Sequence, residues 1–202
     1  VGAEGFEPPT FAFVRASNEI RDRYCRYGDS VEFKFFAAAT GILLVLIYAF
    51  GSGIWVSSSP EWYSSLKRPP WQPPSSFIGL IWPYNFVVLG ISSYQVSKSL
   101  TRIENVSWLV FFGLSVFAAL TWAYQFYVSH NFTLATISLG VTALLTLPVL
   151  YLTFRASLIV GLLLIPYQIW VIIAATLAWG YLTEIKWLSS TAVGAEGFEP
   201  PT

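Results

Sequence analysis

Trp62-Tyr63-Ser64-Ser65-Leu66-Lys67-Arg68-Pro69-Pro70-Trp71-Gln72-Pro73-Pro74, followed by Phe77, Gly79 and Trp82, is the stretch on which the reading of this chain turns. Pro69, Pro70, Pro73 and Pro74 crowd into six residues. Each lacks an N–H, and each ring clashes with the turn before it, so no helix continues through them. The segment is a stiff, shaped loop with its aromatic side chains held in place. On both sides the chain turns apolar: 26 residues from 35 to 60 and 29 from 69 to 97 carry no Lys, Arg, Asp or Glu. A helix needs about 20 apolar residues to cross the hydrocarbon core. A rigid connector between two such helices forms a lid over one end of a bundle, and that points to a ligand site.

The rest of the chain supports this reading. Of its 202 residues, 55% are hydrophobic and only 11% charged, against about 25% charged in a soluble globular domain. Two more charge-free runs follow, 50 residues from 105 to 154 and 28 from 156 to 183. The longer one is too long for a single crossing and breaks at the polar turn Ser129-His130-Asn131. The expectation is an all-α membrane protein with five spans, at about 34–56, 77–97, 107–128, 132–154 and 158–183. Helices are required because lipid offers backbone groups no hydrogen-bond partner. Small residues at fourfold spacing, Ala37/Gly41, Ala49/Gly53, Ser115/Ala119/Ala123 and Ala174/Ala178, allow close approach of helix backbones.

The domain expected is 34–187. Before it, residues 1–33 read as a tail, disordered or carrying a short surface helix; after it, 188–202 read as a second tail. Val1–Thr10 and Val193–Thr202 are the same ten letters, VGAEGFEPPT. The repeat resembles reading frames translated from tRNA genes, is read as a gene-boundary scar, and is set aside for fold reasoning. Lys and Arg placement sets orientation. Arg15, Arg21, Arg23, Arg26, Lys34, Lys98, Arg102 and Arg155 fall on the N-terminal side, and Lys67, Arg68 and Lys186 on the other. Eight against three favours the N-terminus inside and the Trp/Pro loop outside; leaving out the four tail arginines reduces this to four against three.

The formal net charge is zero, which gives no electrostatic case for nucleic acid. One cysteine, Cys25, and one histidine, His130, exclude a metal site built on several His or Cys ligands. Between Phe35 and Thr183 the only acids are Glu61 and Glu104, both outside the expected spans, so no acid–base or nucleophile constellation lies in the membrane region.

Three spans carry a tryptophan on a consistent helical face, since positions three and four apart lie above one another. On the second, Trp82, Phe86 and Gly90 share a face. On the third, Ala119, Trp122 and Phe126 do so, and on the fifth Tyr167, Trp170, Ala174, Leu177, Ala178 and Tyr181. Convergence of these faces makes an aromatic-walled cavity with small residues in its floor, suited to a flat, apolar, conjugated ligand. The candidate ligand contacts are Trp71, Trp82, Phe86, Gly90, Ala119, Trp122, Phe126, Tyr167, Trp170, Ala174 and Ala178. The candidate lid residues are Trp62, Tyr63, Pro69, Pro70, Pro73 and Pro74.

These residues resemble the TspO/translocator protein (MBR) family. Its first loop reads W-Y-x-x-L-x-x-P-x-x-x-P-P, then an aromatic, a Gly and V/I-W. Trp62, Tyr63, Leu66, Pro69, Pro73, Pro74, Phe77, Gly79 and Trp82 match in register, and Pro166, Tyr167, Trp170 and Ala174 match P-Y-x-x-W-x-x-x-A in the fifth helix. The resemblance covers about residues 35–187. It implies five transmembrane helices, frequent homodimers, and a pocket under the first loop that binds porphyrins (tetrapyrroles), sterols and drugs. It also implies that Trp82 and Trp170 correspond to tryptophans tied to light-dependent porphyrin breakdown in some bacterial members, and that Ala174 is a small pocket-wall residue. This chain departs from the pattern at Ala119 and Ala178, where the family usually has Asn, and near Ser138, where it usually has an acid.

The function expected is binding of a tetrapyrrole or sterol-like apolar ligand for transport, sequestration or sensing, with no required cofactor and no catalytic residue. One alternative is photo-oxidative degradation of porphyrin through Trp82 and Trp170. The other is a structural membrane subunit with an incidental cavity.

Overall fold

The computed structural model describes the backbone of residues 9–195 and the side chains of residues 31–184. Most of both VGAEGFEPPT copies lies outside the described residues. The elements are α1 (Pro9–Val56), α2 (Pro60–Ser65), α3 (Ser75–Ser99), α4 (Arg102–Tyr127), α5 (Phe132–Ala156) and α6 (Leu158–Ala195). Five stretches are long and apolar enough to cross a membrane: Val31–Val56, Ser75–Ser99, Arg102–Tyr127, Phe132–Ala156 and Leu158–Glu184. The protein is thus an integral multi-pass membrane protein built only of helices among its described residues. Two compact units divide it, residues 1–36 and 37–202. In the first, the backbone is helical from Pro9 onward, where the sequence suggests disorder or a short helix. Everything that follows concerns the second.

The span ends follow local chemistry. α4 starts at Arg102, five residues before the expected start at 107, because Thr101 and Glu104 form a capping box. Thr101 Oγ1 accepts the Glu104 N–H, and Glu104 Oε2 accepts the Thr101 N–H. Two donors that the first turn leaves orphaned are thereby satisfied. Glu104 also pairs with Arg155 at 3.2 Å, which ties the start of α4 to the end of α5. At the other end of α4, Asn131 accepts the Leu134 N–H and caps α5. His130 just before it has φ 53, in the left-handed region where the chain reverses.

α5 packs along both α4 and α6, and α3 lies against α6. The half of the bundle away from the lid is solid: Trp108, Phe112, Val149 and Leu164 are nearly inaccessible, and Trp108 Nε1 donates to Thr153 Oγ1 at 3.1 Å. Gly41 sits so close to α3 that an added Cβ would stand 1.9 Å from Ser93 Oγ, the close approach that small residues permit in lipid. Thr142, Thr146 and Thr153 turn their hydroxyls back on carbonyls one turn earlier, so this polar stripe is locally satisfied.

Candidate functional site: an aromatic cavity beneath a proline loop

The lid is seated by named contacts. α2 carries Trp62 and Tyr63 onto the bundle; Trp62 stacks on His130 with ring centroids 3.8 Å apart and meets Phe126 edge-on. Pro69 and Trp71 rest on Gly180 of α6, where a Cβ would come within 2.8 Å of Trp71. Gln72 is the central latch. Its Nε2 donates to the Tyr63 hydroxyl at 3.2 Å, and its Oε1 accepts a short hydrogen bond from the Tyr181 hydroxyl. Lys67 adds an ion pair with Glu184 at 2.8 Å, exposed enough to contribute little. Lys67 therefore has a protein carboxylate as partner.

Below this roof lies a cavity of about 300 Å³. Its walls come from α3 (Ile78, Gly79, Trp82), α4 (Trp122, Phe126, Tyr127) and α6 (Trp170, Ala174, Leu177, Ala178, Tyr181), with Val56, Tyr63 and Gln72 closing it. The rings form two groups, one around Trp82 and Trp170 and one around Phe126. Trp82 meets Trp170 edge-to-face at 6.3 Å, Trp122 lies 6.3 Å from Phe126, and Phe126 lies 5.4 Å from Tyr181. Such contacts contribute about 0.5–1.5 kcal/mol each beyond area burial. The surface is mainly apolar, and its polar groups gather at the roof, at Tyr63, Gln72 and Tyr181.

The structure brings together Trp82, Trp122, Phe126, Trp170, Ala174 and Ala178 around this space, with Tyr63 from the lid. Other candidate contacts lie elsewhere. Phe86 stacks on Trp82 and meets Tyr48 edge-on, below the cavity. Ala119 and Tyr167 are sealed in the solid core. Gly90 has no neighbour that a Cβ would meet and is not part of the wall. Trp71 is 55% exposed and covers Gly180 from outside. Trp62, Pro69, Pro70, Pro73 and Pro74 build the roof without lining the space. Gln72, Val56, Ile78 and Tyr127 line it and carry no sequence signal. Asn85 carries none either: it is fully buried, and both atoms of its amide lack a partner. Among the described residues no group of three or more His, Cys, Asp or Glu side chains is placed to hold a metal ion.

Five membrane-crossing helices, with an aromatic hollow under a proline loop at one end, define a class of compact multi-pass membrane protein. The chain belongs to the TspO/MBR family, whose model matches residues 39–183. Among similar proteins are the tryptophan-rich protein TspO of Bacillus cereus, 30% identical over 118 residues covering 58% of this chain and 76% of that protein. Protein CrtK of Rhodobacter capsulatus is 28% identical over 125 residues, 60% of this chain and 77% of its own length. The translocator protein of Sus scrofa is 29% identical over 120 residues, 58% and 70% of the two chains.

Proposed function

We propose that this protein binds a flat, apolar, conjugated or fused-ring molecule, of the tetrapyrrole or sterol-like class, in the cavity beneath the loop, for transport, sequestration or sensing. The observation that carries the reading is the convergence of Trp82, Trp122 and Trp170 from three helices on one roofed space. A concave site with mainly aromatic walls and a few polar groups at one end is the usual form of a small-molecule pocket, and about 300 Å³ is the lower limit of its size range. A sterol fragment or a fused-ring compound fits that volume; a full tetrapyrrole macrocycle needs the roof or the walls to yield. Of the three positions that depart from the family pattern, Ala178 alone lines the cavity and bears on selectivity. Ala178 keeps the wall apolar, Ala119 is packed away in the core, and Ser138 is absent from the wall. The site thus favours shape and stacking over polar readout.

Titration of the purified protein with protoporphyrin IX and with a fluorescent sterol, followed by tryptophan quenching, tests this. Saturable quenching is expected for at least one, weakened about tenfold or more by Trp170→Ala, since loss of a stacked indole removes about 1.4 kcal/mol or more. Linear, unsaturable quenching by both probes, or equal affinity in Trp170→Ala, would refute it.

A further inference from the structure

We infer that the seam between α3 and α6 is a side entrance, through which an apolar ligand dissolved in the bilayer reaches the cavity; the inference rests on the binding reading above. A second hollow, of about 630 Å³, lies on this seam and opens outward; it is lined by Phe77, Leu80, Ile81, Tyr84 and Val87 of α3 and by Pro166 of α6. Leu80 and Val87 are 74% and 61% exposed, so on a membrane-spanning helix they face acyl chains. The same turns of α3 present Ile78, Gly79 and Trp82 to the aromatic cavity. One helical segment therefore borders both spaces, with one stripe of side chains on each face. The seam closes on rings: Phe77 lies 5.8 Å and Trp82 6.3 Å from Trp170.

This segment is weakened where it would have to move. Pro83 has no N–H, so the Gly79 carbonyl four residues earlier loses its partner in the helix ladder. Gly79 has open space where a side chain would be. On the facing helix, Pro166 removes the same bond from Leu162. Just below, the Tyr84 hydroxyl donates to the Leu163 carbonyl at 2.7 Å, a fixed point about which the first turns of α3 can swing. The roof is the contrary case. The Gln72 hydrogen bonds, the Lys67–Glu184 pair, the Trp62–His130 stack and the seat on Gly180 all hold it down. Opening the seam parts a few ring contacts in lipid; opening the roof breaks a latch of several polar and stacked contacts.

The test uses the full chain in liposomes and protoporphyrin IX, with binding and release followed by stopped-flow absorbance of the Soret band. Entry from the bilayer makes the observed rate follow the porphyrin-to-lipid ratio at constant aqueous porphyrin. Leu80→Phe and Val87→Phe, which fill the groove without touching the cavity, should slow binding and release together by about threefold or more while leaving Kd unchanged. Pro83→Ala, which restores the missing N–H, should act in the same direction. Trp71→Ala and Lys67→Ala, which loosen the roof, should leave both rates unchanged. Wild-type rates in all three α3 variants, or faster exchange in the roof variants, would overturn the entrance while leaving the pocket intact. Absence of saturable binding to the wild type, or a Kd unmoved by Ala174→Leu, would instead strike the binding reading, and this inference with it.

Discussion

The two ends of the bundle are built from the same kinds of residue and behave as opposites. Away from the lid, Trp108, Phe112, Val149 and Leu164 fill the interior, and the Trp108 indole has Thr153 as its acceptor. At the lid end the indoles of Trp122 and Trp170 have no hydrogen-bond partner, and they border open space. A tryptophan buried on all sides contributes to stability. One that walls a hollow has given up part of that contribution.

Five substitutions bear on that contrast. Trp108→Ala should lower stability by about 3–5 kcal/mol, read as the loss of thermal unfolding temperature in mild detergent, whereas Trp122→Ala should lower it by clearly less and act on ligand affinity. Comparable losses at both positions would erase the distinction between a solid and a hollow end. Next in size, Gly41→Val should destabilise by about 1–3 kcal/mol by overpacking α1 against Ser93, while Gly79→Ala, in open space, should be neutral or stabilise by up to about 1 kcal/mol through helix propensity. A neutral Gly41→Val would mean that α1 and α3 are not held close. Last, Asn85→Leu should raise stability by about 1–2 kcal/mol, because its unpartnered amide between the two ends is expensive to bury. A loss of stability instead would show that the amide has a partner in the membrane-embedded protein.

What could be read from the letters alone divides along a physical line. Span number follows from the charge-free runs, because the bilayer allows few exceptions. The start of α4 does not, because Glu104 occupies the first helical turn, where the capping box and Arg155 make a charge acceptable. Helical periodicity shows toward which side a residue faces, but not how far along the axis the space on that side extends. Trp82 and Phe86 share a stripe, as do Trp122 and Ala119, and Trp170 and Tyr167. In each pair the member nearer the lid borders the cavity, and the other is in the packed region beneath. Gln72 reaches the wall through the folding back of a connector and Val56 through the end of α1, long-range events that leave no local trace. Asn85 looks like a single polar letter in an apolar run, and nothing in its neighbours announces that it is sealed from every partner.

The stack of Trp62 on His130 joins two connectors that are far apart in the chain, the one leading into α3 and the tight reversal between α4 and α5. Neither can be lengthened or decorated without disturbing the other. A fluorophore or affinity tag inserted beside Ser129 would be felt by the loop above the cavity, whereas one beside Ser157, at the opposite end between α5 and α6, would leave that loop undisturbed. For anyone labelling this protein to watch a ligand arrive, the choice of reversal decides whether the label reports the event or alters it.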